Sequence, residues 1–197
     1  MSLYDIAKAI LRPLTASFFA ARVSGADRVP SSGPIVVAAN HRSYLDPLLL
    51  GAWFPRTIHY MAKQELFRIA GLSWLIKQWH AFPVERDRAD LGSIRRALRI
   101  LKDGGVVGIF PEGTRNVDGE AKARGGAVLL AATAGCPLVP VALVNTQSAV
   151  RRLRASKVEV RIGAPMMLQG SGRKPTKTEI DQWTAALTGA IEALAAR

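Results

Sequence analysis

Apolar residues recur along the chain with two different periods, and the periods alternate. Leu3, Ile6, Ile10, Leu14, Phe18 and Ala21 fall at helical spacing, which predicts an amphipathic helix over residues 3–21. Lys8, Arg12 and Arg22 lie off that stripe, and Pro13 is a candidate kink. After a Ser31-Ser32-Gly33-Pro34 turn, Ile35–Ala39 is wholly apolar and reads as a buried strand. A polar loop over 40–46 follows, and Pro47 fits the first position of a short helix with Asp46 as its N-cap. The pattern then gives a strand at Ile58–Ala62, a helix at Leu66–Gln78 and a short strand at Ala81–Val84. Asp90–Lys102 is amphipathic, with Arg95, Arg96, Arg99 and Lys102 on its polar side, and Gly104 and Gly105 end it. A strand at Val106–Phe110 leads into a polar loop over Pro111–Ala123. Lys157–Ile162 alternates charged and apolar residues, as a half-exposed strand does; residues 170–177 form a linker and Thr178–Ala196 a last helix.

Residues 125–150 carry no charge, which raises the question of a membrane span. Gly135, Cys136 and Pro137 interrupt the run, and Pro140 follows inside a Val-rich segment. Two shorter elements fit better: a small-residue helix at Gly126–Ala134 and a buried strand at Leu138–Val144. Strands alternating with helices predict one α/β domain, a mostly parallel mixed sheet flanked by helices. No internal repeat interrupts this order, and residues 151–157 (Arg151, Arg152, Arg154, Lys157) are the one dense basic run.

Composition narrows the function classes. The 197 residues suit a single domain with a full core. The formal net charge of +12 calls for an acidic partner: nucleic acid, anionic lipid, a phosphorylated metabolite or an acidic protein. A single cysteine, Cys136, excludes an internal disulfide framework, and its apolar neighbours mark it as buried and inert. With three histidines beside it, a dedicated zinc site is not expected. No signal peptide is visible, so a reduced, cytoplasmic setting is the default.

Three loops after strands could carry chemistry. Asn40-His41-Arg42-Ser43-Tyr44-Leu45-Asp46 places an imidazole and a carboxylate between a strand and a helix, where open α/β sheets bind ligands. His41 can act as a general base, with Asp46 fixing its tautomer. On spacing alone Asp46 can equally be a helix cap and His41 a plain loop residue. In Phe110-Pro111-Glu112-Gly113-Thr114-Arg115-Asn116, Arg115 can grip a phosphate beside the backbone N–H groups near Gly113, and Glu112 can hold Arg115 or accept from a substrate hydroxyl; a surface ion pair on a glycine turn is the alternative. Phe82-Pro83-Val84-Glu85-Arg86 puts Arg86 at a third strand end, where an arginine is commonly a solvated rim residue. Gly-x-Ser-x-Gly, Walker A and Gly-x-Gly-x-x-Gly patterns do not occur, and His59 and His80 read as ordinary strand and helix-end residues.

These loops together resemble the glycerolipid acyltransferases of the 1-acylglycerol-3-phosphate acyltransferase family. That family's Asn-His-x-Ser-x-x-Asp block is met by Asn40 to Asp46, and its Phe-Pro-Glu-Gly-Thr-Arg block by Phe110 to Arg115. Val84-Glu85-Arg86 and Val139-Pro140-Val141 match two weaker blocks in the right order, and Val160–Pro165 resembles the closing strand. The family's Phe-Lys-x-Gly run is altered here to Ala123-Arg124-Gly125-Gly126, and a long N-terminal transmembrane part is replaced by one amphipathic helix.

The resemblance implies transfer of a fatty acyl group from an acyl thioester, on coenzyme A or acyl-carrier protein, to the sn-2 hydroxyl of lysophosphatidic acid, giving phosphatidic acid. His41 and Asp46 are then the catalytic pair. Arg86 and Arg115 hold the acceptor phosphate in a pocket shaped by Glu112, Gly113 and Thr114. No metal or cofactor is implied, and no nucleic acid. The implied setting is the cytoplasmic face of the cell membrane, peripheral or monotopic, with residues 1–24 as a membrane-associating helix and 25–197 as the acyltransferase domain. Other lyso-acceptors, such as a lyso-ornithine lipid or a glycolipid, and a non-catalytic basic module for anionic lipid or nucleic acid, are the alternatives.

Overall fold

A computed structural model describes residues 2–85, 90–113, 123–168 and 175–197. In chain order the elements are α1 (Leu3–Phe19), β1 (Arg22–Ser24), β2 (Ile35–Ala39), α2 (Asp46–Trp53), β3 (Ile58–Lys63), α3 (Leu72–Gln78), β4 (Ala81–Val84), α4 (Leu91–Lys102), β5 (Val106–Ile109), α5 (Gly126–Ala134), β6 (Leu138–Val144), the short turn α6 (Ala149–Arg152), β7 (Glu159–Ile162) and α7 (Lys177–Ala196). The strands form one seven-stranded sheet in the order β1-β7-β6-β2-β5-β3-β4. All neighbours run parallel except β6 and β7, so the mixed, mostly parallel sheet expected from the sequence is the one found.

Central position explains composition. Every residue of β2 and all but the last of β6 are buried, and both are continuous apolar runs, as strands covered on both faces must be. Ile35, Val37 and Ala39 face a cluster containing Leu50 of α2, Phe54 just after it and Tyr4 of α1. Val36 and Ala38 face the opposite cluster, with Ala97 and Leu101 of α4, Val128 and Ala131 of α5, and Leu187 and Ile191 of α7. The uncharged 125–150 stretch is α5 followed by β6, with Gly135 between them at φ 61° closing the helix. Among the described residues, no helix is long and apolar enough to cross a membrane.

Three local expectations are revised. The helix expected over 66–78 is divided at Gly71 (φ 75°) into a 3₁₀ segment, Gln64–Arg68, and α3. β1 was not foreseen; three residues with one apolar side chain carry no period, and β1 exists because β7 lies alongside it. Asp46 is the first residue of α2 rather than its cap, and no side chain caps that helix.

α1 has two apolar faces. Tyr4 and Thr15 are buried, and Ala7 and Leu11 pack against the α2 side of the core. Leu3, Ile6, Ile10, Leu14 and Phe18 form a second stripe that stays exposed. Lys8 and Arg12, expected to flank an exposed face, turn to the C-terminus of α2. There Lys8 donates to Phe54 O, Arg12 Nε to Ala52 O at 2.6 Å, and Tyr4 Oη to Gly51 O at 3.2 Å. The carbonyls that a helix end leaves without partners are thus satisfied from another helix.

Candidate active site

β2 and β5 are adjacent and parallel, yet the chain leaves them towards opposite faces of the sheet. β2 runs into α2 on one face, and β5 leads on to α5 on the other. Divergence of two neighbouring strand ends opens a crevice, the position at which open α/β sheets take ligands. Asn40–Asp46 and Phe110–Gly113 form its two lips.

The first lip is held from both sides. The Asn40 amide donates to Leu143 O at 3.0 Å and accepts from Leu143 N at 2.7 Å, which fastens the loop to β6. The His41 backbone N–H donates to Glu112 Oε2 at 2.9 Å, which fastens it to the second lip. The His41 ring stacks on Phe110, with centroids 4.3 Å apart and planes at 27°. Phe110 in turn lies parallel to Tyr60 of β3, at 6.4 Å and 10°.

Asp46 completes the loop. Its Oδ2 accepts from the Arg42 N–H at 2.6 Å, the Ser43 N–H at 2.7 Å and His41 Nδ1 at 2.9 Å. Two backbone donors pull the carboxylate back over the loop, which is why it does not cap its own helix. The side chain of Asp46 is 0% exposed and that of His41 15%. A carboxylate only accepts, so Nδ1 carries the hydrogen and Nε2 is left to take a proton. Asp46 thus bonds the imidazole and is not the N-cap of α2.

On the second lip, Gly113 holds φ 69° and its N–H donates to Phe110 O at 3.0 Å, a tight turn that a side chain would strain. Arg124 reaches this turn through its own N–H, which donates to Pro111 O at 2.9 Å. Of the residues expected at the site, His41, Asp46, Glu112 and Gly113 converge on the crevice. Arg86, Thr114 and Arg115 lie outside the described residues. Glu112 takes a role that sequence reasoning did not assign it, as the acceptor for the His41 backbone. Lys63, which ends β3, pairs with Glu65 at 3.2 Å.

A cavity of about 560 Å³ adjoins the crevice between α4 and α5. Phe110, Pro111, Gly113 and Arg124 line its mouth; Ile94, Ala97, Leu129 and Leu130 are among its apolar walls. Its size falls within the roughly 300–1,000 Å³ of small-molecule sites. Cys136 is buried away from this region, and burial pushes its thiol up, as the inert reading requires.

The sequence profile of the acyltransferase family matches residues 20–144. The chain is 34% identical over 174 residues to a 1-acyl-sn-glycerol-3-phosphate acyltransferase of Bacillus subtilis, covering 88% of this chain and 87% of that protein. It is 33% identical over 160 residues to the human 1-acyl-sn-glycerol-3-phosphate acyltransferase alpha, covering 75% of this chain and 55% of the human protein. The crystal structure of the 1-acyl-sn-glycerophosphate (LPA) acyltransferase of Thermotoga maritima superposes with a TM-score of 0.73 at 25% identity, covering 99% of this chain and 81% of that one.

Proposed function

The chain belongs to the acyltransferase family, and from that premise we propose that it transfers a fatty acyl group from an acyl thioester to the sn-2 hydroxyl of lysophosphatidic acid. The observation that carries the mechanism is the His41–Asp46 pair, 2.9 Å apart at the mouth of an apolar cavity. His41 Nε2 takes the acceptor's hydroxyl proton as its oxygen attacks the thioester carbonyl. Asp46 holds the ring and offsets the charge that forms on it. Collapse of the tetrahedral intermediate breaks the carbon–sulfur bond, and the proton on His41 passes to the departing thiolate. The donor is acyl-coenzyme A or acyl-carrier protein.

The cavity suits the acyl chain: its walls are mostly aliphatic, and its mouth lies under the Phe110 ring on which His41 stacks. Arg86, Arg115, Gly113 and Thr114 are the proposed phosphate pocket, and Glu112 supports it by holding His41 in place. Assaying the purified protein with lysophosphatidic acid and a panel of acyl-coenzyme A and acyl-carrier-protein donors tests this reading. Acyl transfer to another lyso-acceptor and not to lysophosphatidic acid overturns it.

We further propose that residues 1–24 dock the protein on the cytoplasmic face of the membrane. The exposed stripe of α1 supports this, since an apolar face of that length is otherwise left in water. Deleting the helix is the wrong test, because Tyr4 and Leu11 belong to the core. Ile6→Ser with Ile10→Ser changes only exposed positions. This pair reduces vesicle co-sedimentation without lowering the melting temperature; unchanged binding assigns docking elsewhere.

A further inference from the structure

The basic run at residues 151–157 is left unused by the chemistry above. Ala149 is buried and anchors α6, whereas Val150 is 70% exposed and Leu153 49%. Leu153 also holds φ 46° with ψ −127°, a costly conformation for a residue with a side chain. Packing within the chain does not explain an apolar residue kept both strained and exposed. Arg151, Arg152 and Arg154 are interleaved with these two side chains, and Lys157 closes the segment. Arg154 Nη1 donates to Ser17 O at 3.1 Å, so the segment abuts the last turn of α1 next to the exposed Phe18. Among the described residues, Arg151, Arg152 and Lys157 have no side-chain hydrogen bond or ion-pair partner.

We propose that Val150–Lys157 is an anionic-lipid site, in which Val150 and Leu153 enter the bilayer beside Phe18 while Arg151, Arg152 and Lys157 hold phosphate-bearing headgroups. The occupant follows from charge and continuity together. Arg154 ties the segment to the last turn of α1, which carries the exposed Phe18, and every charged residue from Val150 to Lys157 is basic. An acidic protein partner needs the same charges but gives no use to an apolar strip shared with α1. α1 supplies hydrophobic contact but little charge, since Lys8 and Arg12 are tied to α2. This segment supplies the missing electrostatic term and so fixes which way round the protein sits. The proposal rests on the docking of α1 on a membrane but not on the acyl transfer itself.

The test is co-sedimentation of the full chain with vesicles of phosphatidylcholine alone or with about one-third phosphatidylglycerol added, at low and high salt. Wild-type protein prefers the anionic vesicles, and salt erodes the preference. Arg151→Gln with Arg152→Gln weakens anionic binding by roughly fivefold per charge at low salt and leaves binding to neutral vesicles unchanged. Arg151→Glu with Arg152→Glu and Lys157→Glu abolishes the preference. Arg154 is kept in every variant because it braces α1. Turnover of a short-chain, soluble acceptor with acyl-coenzyme A stays at the wild-type level; its absence in wild-type protein counts against the proposed reaction and leaves the vesicle result standing. Equal anionic binding by wild-type and both variants overturns the proposal. So does unchanged vesicle binding accompanied by loss of turnover with acyl-carrier protein alone, which assigns the segment to the donor.

Discussion

Glu112 accepts the backbone N–H of His41 at 2.9 Å, so two loops 71 residues apart in sequence meet at a single main-chain hydrogen bond. The side chain that holds the His41 backbone is therefore not the one bonded to its ring. Glu112→Gln retains an oxygen acceptor and keeps most of the turnover. Glu112→Ala frees the loop and lowers kcat by about tenfold or more, since small misplacement of a base is costly. Steady-state kinetics of the two variants separate positioning from substrate contact: a rise in KM alone, equal in both, assigns Glu112 to the acceptor.

Removing the base itself has a larger effect. His41→Ala lowers turnover at least about a hundredfold, the lower end of general-base contributions, while the melting temperature changes little. Asp46→Asn keeps an acceptor for Arg42 and Ser43 but offsets less of the imidazolium charge, so it too loses turnover in a folded protein. Near wild-type rates in a folded His41→Ala protein contradict the mechanism.

Asn40 clamps the 40–46 loop to β6. Its amide satisfies both the N–H and the C=O of Leu143, which is buried. Asn40→Ala strands those two groups and costs about 2–6 kcal/mol, at about 1–3 kcal/mol for each unpaired buried group. Asn40→Asp, which keeps the acceptor and loses the donor, falls between. Urea denaturation of the three proteins gives the order.

In the proposed reading the cavity sets a length limit on the acyl chain. Leu129 lines it and is partly exposed, so a larger side chain there is accommodated without disturbing the core. Leu129→Trp narrows the space and shifts preference toward shorter donors, read as kcat/KM across a chain-length series. An unchanged profile places the chain elsewhere.

Acid stability depends on a histidine far from the dyad in sequence. Burial, then His80 and Arg96, push His59 down to about 4, and burial also lowers His80. Between about pH 6.5 and 4 the unfolded chain therefore binds protons that the folded chain refuses. The contribution of His59 to stability falls as pH drops through that window and is level above it. His59→Asn flattens the decline in melting temperature between pH 6.5 and 4; an equal decline in both proteins assigns it to other groups.

The legible parts of the molecule were those set by local pattern. α5 and β6 begin and end where the sequence places them, because glycine and proline punctuate two apolar runs. His41 and Asp46 were legible as a pair because five residues of loop suffice to bring them together. What escaped the sequence depends on neighbours distant in the chain. β1 needs β7, the Asn40 clamp needs β6 beside β2, and the role of Glu112 needs β5 beside β2. The two faces of α1 were merged into one stripe for the same reason: periodicity marks apolar positions but not which of them meet α2.

α2 is a rod fastened at both ends. Its first residue, Asp46, grips the His41 imidazole, and the carbonyls at its C-terminal end are held by Tyr4, Lys8 and Arg12 of α1. Trp79 lies along it, donating from Nε1 to Pro47 O at 2.9 Å and occupying the place where a side chain at Gly51 would have to go. Eight residues of helix span about 12 Å, and that length does not stretch. If α1 rests on a lipid surface as proposed, the standoff between His41 and the bilayer is set by the length of α2. In that reading the acceptor is lifted to His41 rather than His41 lowered to the bilayer.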